Sequence, residues 1–544
     1  MQRFIENEFG EFDIVVIGGG ISGAAVAYDA ASRGYSVALV EKQDYGCATS
    51  AATSKLIHGG FRYLANLDFR VVRESLRERR ILENIAPNFV YPLPVMLTSY
   101  NIKATNNKWV IKAGMMMYDI LSFDKGSTWD KSKNIPLHKT VSAKKVLELE
   151  PNVKKKGLTG ASIYCDCTSI FPERLTLAFI KSAVEKGASV ANYAKVDGFV
   201  LSDEKKVCGV KVKDLINDRY VDVRGKLIVN CGGPWADIVL GLAKDGEIER
   251  KLRRSEGIHF VTKKLLNKHM IGNMAETGRH FFVIPWRNHT LIGTTDKEYI
   301  GDPDEYKVTK ESIMELLDEV NSAFGNGDPI KYEDILHTYG GLRPLVEEQT
   351  EDVYKTSRKY EIYDNAQDGL DGLITVEGGK YTTSRGLAEN VMKMVGNKIN
   401  GKFGKCVTDK QYLAGCEIKD IEKFILDIQK ENADFDAHTI EYLGRNYGTE
   451  YSEILKIARS DKSLAEPLNE DGEMLAQVIY AIREESALTL KDIMVRRTGI
   501  GTLGDPGDEV IGKVADLAAK ELGWDASRIE KEKATIKETL KIPD

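Results

Sequence analysis

Three glycines and one acid carry the first chemical signal in the chain. Gly18, Gly20 and Gly23 stand at G-x-G-x-x-G spacing, and Glu41 follows eighteen residues past Gly23. Gly18 permits a tight turn, Gly20 lets backbone approach a pyrophosphate, and Gly23 lets a helix pack close to a strand. A helix opening there at Ile21 and Ser22 presents unpaired N–H groups and a partial positive charge to phosphate. Glu41 suits the 2′- and 3′-hydroxyls of an adenosine ribose. The elements that must position these groups are present. Residues 12–17 are apolar and β-branched, as a strand buried on both faces is, and residues 35–40 supply the next strand. The motif alone fits NAD as well as FAD.

A second strand–glycine–helix unit spans 371–395. Residues 373–376 read as the strand, Gly378 and Gly379 as the turn, and Thr382 as the helix opening. Lys380 sits on that turn, suited to negative charge on a ligand. Two such units suit a large dinucleotide held from both ends. Arg343 falls between a Gly pair and Pro344, a restrained position for a guanidinium that binds phosphate or carboxylate. Residues 226–237 are a buried strand ending at Gly232 and Gly233, where open α/β sheets bind ligands. His259, Thr294, Thr295 and Asp296 fall at the ends of short β-rich runs within 255–299. A strand-end histidine is by itself more often structural than catalytic. Residues 42–63 are rich in Ser, Thr, Ala and Gly. They suit a segment lying on a flat, polar-edged ligand, and equally a loop packed on the glycine turn.

Bulk properties are those of a soluble globular protein. The chain has 544 residues, 42% hydrophobic and 29% charged, with net charge −6. That length exceeds the roughly 100–200 residues of a single domain. The negative balance gives no field favouring nucleic acid. Seven scattered cysteines fit a reducing compartment, and eight histidines show no ligand spacing, so no metal site is expected. No signal peptide is visible, and no run reaches the roughly 18 apolar residues of a membrane span.

Other elements follow from periodicity. Residues 68–86 read as a helix with Asp68 as N-cap and a solvated Arg-rich face. Residues 108–123 read as an apolar helix whose methionines, 115–117, default to core filling. Trp109 and Tyr118, with Lys103, Lys108 and Lys112, also resemble an interfacial helix. Helices are expected at 140–151, 171–186 and 310–324, a β-ribbon at 188–225, and a run of helices from 417 onward.

In order, these stretches resemble the flavin-dependent, quinone-linked glycerol-3-phosphate dehydrogenases, from about residue 12 to 501. VIGGGISGAAVAYDAASRGYSVALVEK resembles the family's FAD fingerprint, and SKLIHGGFRYL is close to a family signature. NCGGPWAD, IPWRNHTLIGTTDKEY, GGLRPL, GGKYTTSRGLAE and AIREESALTLKDIMVRRTGIG fill the remaining blocks. YCDCTSIFPERL departs from an Asp–Ala–Arg-like pattern, so no role is carried over to Asp166 or Arg174.

The resemblance implies an α/β chain: a Rossmann-like FAD-binding domain, an interleaved antiparallel-sheet substrate domain and a C-terminal all-helical domain. The expected boundaries are 12–400, with substrate segments at 88–150 and 255–345, and 405–544. It implies oxidation of sn-glycerol 3-phosphate to dihydroxyacetone phosphate by hydride transfer to FAD, with electrons passed to a membrane quinone. The expected setting is cytoplasmic, peripheral on the inner membrane face, with a homodimer as a possible assembly. An oxygen-using oxidase and a non-catalytic flavin sensor are the alternatives. The expected FAD contacts are Gly18, Gly20, Ile21, Ser22, Gly23, Glu41, Lys42, Thr49, Ser50, Ser54, Lys55, Leu56, His58, Gly59, Gly60, Gly232, Trp235, Gly379, Lys380, Tyr381 and Thr382. Arg62, Tyr63, Thr295, Arg343 and Lys380 are expected at the substrate. Its phosphate dianion calls for Arg343 and Arg62, since guanidinium binds phosphate bidentately. His259 has the pKa class of a base at neutral pH. Lys380 is suited to lowering the hydroxyl pKa or stabilising anionic reduced flavin.

Overall fold

The computed structural model describes residues 1–100, 108–244, 252–274, 278–346 and 359–544, without the side chains of Arg62, Ala65, Asn66 and Lys108. Lys103 therefore lies outside the described residues.

The opening stretch folds as its apolar pattern requires. The strand Phe12–Ile17 pairs in parallel with Val37–Val40 on one side and Arg219–Asn230 on the other. Leu373–Gly378 extends the sheet beyond Arg219–Asn230, and Ser189–Ala191 extends it beyond Val37–Val40, both in parallel. All three glycine turns therefore lie at the carboxyl ends of neighbouring parallel strands, the edge where open α/β sheets bind ligands. The helices Ile21–Ser32, Pro172–Glu185 and Ser384–Lys398 bury this sheet's face in one apolar core. The ribbon Ala194–Leu201, Val207–Asp214 and Arg219–Asn230 is antiparallel, as its turn signals indicate, and packs with the sheet's other face.

A second, mostly antiparallel sheet stands over the first. Its longest pairings join Val90–Tyr100 to Leu158–Ser169 and Arg253–Lys263 to Ile335–Leu345. The helix Lys310–Ala323 packs on it with Ile313, Leu316, Leu317 and Val320. From Ile421 onward the chain is helical, in two further apolar clusters. The architecture is thus α/β with a second antiparallel sheet and a C-terminal helical region, as expected.

Four local readings are corrected. Asp68 precedes the helix Phe69–Ile85 but makes no side-chain cap. That helix's charged face is solvated only in part: Arg70 and Arg77 are exposed, whereas Arg79 and Glu78 are 1% exposed. Each has a buried partner, Arg79 with Asp166 at 2.6 Å and Glu78 with Arg385 at 2.7 Å. The expected helix at 140–151 begins as the strand Lys139–Ser142, and only Ala143–Leu149 is helical. Of the three methionines in Lys108–Leu121 only Met115 is core, at 1% exposed, whereas Met116 is 54% exposed. Trp109, Val110 and Ile120 of that helix, and Phe123 just beyond it, are exposed as well.

Candidate active site

The site begins at the first glycine turn. Gly18 N donates to Val40 O and Cys231 N donates to Ile17 O, each at 2.8 Å. Gly18 has φ +100°, and a Cβ there would stand 2.6 Å from Cys231 O. A Cβ on Gly20 would stand 3.2 Å from Ser50 Oγ. Side chains are thus excluded where bare backbone must face a ligand. Glu41 closes this wall. Its Oε2 accepts from Gly19 N at 2.7 Å and its Oε1 from Gln43 N at 2.8 Å. Burial, opposed by those two donors, raises its pKa above the usual carboxylate range.

From this wall opens a cavity of about 1040 Å³, at the top of the roughly 300–1,000 Å³ range of ligand pockets. It is lined by Gly18, Gly20, Ile21 and Ser22 of the turn, by Glu41 and Lys42, and by Thr49, Ser50, Ser54, Leu56, His58 and Gly60. Gly232, Trp235, Gly379, Lys380, Tyr381 and Thr382 complete the expected cofactor contacts on it, and Tyr63 and Arg343 line it too. Lys42 Nζ lies 4.1 Å from the Trp235 ring centroid. Ser50 Oγ accepts from Ile21 N at 2.9 Å, and Thr49 Oγ1 donates to Leu342 O at 2.5 Å. The small hydroxyl residues thus tie their segment both to the glycine helix and to the second sheet.

Three expected cofactor contacts do not line the cavity. A Cβ on Gly23 would stand 1.9 Å from Gly18 O, so Gly23 serves the close helix–turn contact. Lys55 turns away into the core, with Nζ 3.3 Å from Glu173 and 4.8 Å from the Trp286 ring centroid. Gly59 is packed under Tyr118 and Leu76, where a Cβ would meet Tyr118 Oη at 2.3 Å.

Arg343 is fixed from behind. Nη1 donates to Glu256 O at 3.2 Å and Thr295 O at 2.9 Å, and Nη2 to Thr294 Oγ1 at 2.6 Å. Thr295 thus acts through its carbonyl and stands behind the wall. Lys380 Nζ donates to Ser75 Oγ at 2.8 Å and lies 4.5 Å from the Tyr63 ring centroid. Arg62 belongs to the turn Phe61–Asn66, with its side chain outside the described residues.

His259 is 1% exposed and does not line the cavity. Its Nε2 is 2.8 Å from Oγ of Ser54, which does. The ring stacks on Tyr339 at 5.0 Å. Burial, then the charges of Arg343 and Lys55, push its pKa well below the ordinary histidine value, so the imidazole is neutral.

Asp166 and Thr294 are among the cavity groups that were not expected as contacts. Asp166 lines the wall and accepts from Arg79 at 2.6 Å and Tyr118 at 2.8 Å. Thr294 lines it beside the expected Thr295. Ser75, which orients Lys380, carries no signal because it reads as one more helix residue. Arg174 is remote from the cavity. It forks onto Glu485 at 2.8 and 3.0 Å and joins the first sheet's helix layer to the C-terminal helices.

A parallel sheet with glycine turns at its ligand edge, a long cavity and a covering antiparallel sheet define an FAD-dependent oxidoreductase. The model of that name, FAD dependent oxidoreductase, matches residues 13–385, and one described as the C-terminal domain of alpha-glycerophosphate oxidase matches 406–529. A Synechocystis glycerol-3-phosphate dehydrogenase is 33% identical, covering 100% of this chain and 99% of the relative. The aerobic glycerol-3-phosphate dehydrogenase of Staphylococcus saprophyticus is 33% identical over 96% of this chain and 93% of its own. The crystal structure of the Bacillus halodurans glycerol-3-phosphate dehydrogenase complexed with FAD superposes with TM-score 0.78 at 27% identity, covering 98% and 95% of the two chains. The chain belongs to the FAD-dependent glycerol-3-phosphate dehydrogenase family. The bare glycine edge and the cavity's size fit FAD.

Proposed function

We propose that the protein oxidises sn-glycerol 3-phosphate to dihydroxyacetone phosphate and passes the electrons to a membrane quinone. The observation that carries this reading is the presence of two fixed cations, Arg343 and Lys380, on the wall of the FAD cavity. A phosphorylated alcohol is a dianion, and a guanidinium held by backbone carbonyls meets it with little rearrangement. Bound FAD supplies the acceptor for the hydride leaving the substrate carbon.

The chain's own groups handle the proton and the charge. Ser54 Oγ takes the hydroxyl proton as it passes its own to Nε2 of His259, which is neutral and can accept a hydrogen bond there, although burial and the charges of Arg343 and Lys55 oppose the charge it gains. Lys380, oriented by Ser75, stabilises the negative charge that builds on oxygen. The Tyr63 ring, 4.5 Å from the Lys380 ammonium, adds a cation–π contact to that charge.

The quinone reading rests on a second part of the cavity. Leu97, Val110, Ile111, Met270 and Phe282 give it an apolar stretch. Val110 is also 56% exposed, on the helix whose Trp109, Met116 and Ile120 face outward. Among the described residues no helix is long and apolar enough to cross a membrane. An exposed apolar helix face beside an apolar cavity wall suits contact with a lipid surface and entry of an apolar acceptor. The test is reoxidation of substrate-reduced protein in a stopped-flow instrument. Fast reoxidation by a soluble quinone analogue and slow reoxidation by oxygen are expected, and the reverse order makes it an oxidase.

A further inference from the structure

The adenosine-side wall of the cavity is gripped from behind by a turn 452 residues further along the chain. Asp44 is fully buried within the loop whose Glu41, Lys42, Gln43, Gly46 and Cys47 line the cavity. Its carboxylate accepts Arg497 Nη1 and Nη2 at 2.7 Å each, Arg496 Nε at 2.5 Å and Asn192 Nδ2 at 3.2 Å. Burial opposes its ionisation, but the two guanidiniums outweigh burial and hold its pKa at about 2.

The same turn, Asp492–Arg497, reaches a second wall segment. Tyr193 Oη donates to the Asp492 carboxylate at 2.7 and 2.9 Å, and Tyr193 directly precedes Ala194–Asp197 on the cavity wall. Arg496 bridges the two attachments, since it binds both Asp44 and Asp492. The wall segments are also tied to each other. Tyr193 N donates to Gln43 O and Ala194 N to Glu41 O, each at 2.8 Å. Neither arginine lines the cavity, so any effect on the ligand passes through Asp44 and Tyr193.

We propose that Arg496 and Arg497 are positioning residues of the FAD site: through Asp44 and through Asp492–Tyr193, the C-terminal turn sets the spacing of the two wall segments that meet the cofactor, and with it FAD affinity. Linkage makes the effect reciprocal, so bound FAD tightens the C-terminal turn as the turn tightens FAD. The helical region beyond residue 484 is then part of the cofactor site, although none of it touches the cavity.

The test is FAD titration of full-length protein stripped of flavin, which does not depend on the substrate. Arg497→Lys keeps the charge and loses the planar fork. Tyr193→Phe removes the hydroxyl on the other wall and leaves Asp492 its backbone donors, Leu488 N and Thr489 N. Arg483→Ala breaks an exposed pair with Glu521 elsewhere in the same region and serves as control. The FAD Kd is expected to rise at least tenfold for R497K and several-fold for Y193F, with R483A unchanged. Bound FAD is expected to slow amide exchange at 492–497 in the wild type. If R497K does not fold, Y193F carries the test. Unchanged FAD affinity in Y193F, or equal weakening by R483A, overturns the proposal.

Discussion

Ser54 Oγ lies 2.8 Å from Nε2 of His259, so a cavity-lining hydroxyl separates the substrate space from a buried, neutral imidazole. The histidine that the sequence offers as a base is therefore one atom removed from the chemistry. Proton transfer by a positioned side chain contributes about 10²–10⁴-fold to a rate. Ser54→Ala and His259→Gln should each slow flavin reduction by about 10²-fold or more in anaerobic single-turnover experiments. Combining them should cost little beyond the worse single change, since both interrupt one relay. Wild-type rates in His259→Gln would remove it from the mechanism.

The buried histidines also make stability depend on pH. Burial lowers the His337 pKa to about 4, and burial with two nearby cations lowers that of His259 well below the ordinary value. In the unfolded chain both titrate near 6.5, so the unfolded state binds more protons below that pH. Their contribution is fully present above about pH 6.5 and is lost as pH falls. For His337 the loss is complete near pH 4 and amounts to about 3 kcal/mol at about 1.4 kcal/mol per pKa unit. Tm measured from pH 7 to 4 should fall, and His337→Phe should flatten part of the slope.

Gly257 lies under the Arg343 guanidinium, and a Cβ there would stand 1.9 Å from Nη2. Gly257→Ala should therefore displace Arg343 without touching the substrate. Loss of a charge-assisted contact costs about 1.5–3 kcal/mol, or roughly 10–10²-fold in kcat/KM for glycerol 3-phosphate. Arg343→Ala should do the same or worse. Both should change kcat/KM for unphosphorylated glycerol much less. Equal losses on both substrates would exclude a phosphate contact.

Ile120 and Phe123 are 64% and 76% exposed in and beside the helix Lys108–Leu121. Replacing both with Asp should abolish sedimentation with anionic lipid vesicles at low salt and leave Tm within a few degrees, because neither is core. Retained vesicle binding would place the membrane face elsewhere.

The strand–turn–helix at 12–41 was legible because three glycines at fixed spacing, two strands and an acid must coincide there. The second sheet was legible only as short β-rich runs, and its pairing of Arg253–Lys263 with Ile335–Leu345 has no local signal. Arg343 was legible from its Gly–Gly and Pro neighbours. Lys55 was misread because a lysine inside a cofactor signature gives no sign that its ammonium pairs with Glu173. Two charges of the helix Phe69–Ile85 were misread for a related reason. Periodicity marks polar residues as outward, yet Arg79 and Glu78 are buried by partners at Asp166 and Arg385 that only the tertiary fold supplies.

The central claim is that glycerol 3-phosphate reduces FAD held in this cavity. Purified, flavin-loaded protein mixed anaerobically with glycerol 3-phosphate tests it most directly. The oxidised flavin absorbance should bleach within seconds with glycerol 3-phosphate and hardly at all with glycerol. Protein that stays yellow with glycerol 3-phosphate, while dithionite bleaches it fully, would contradict the claim.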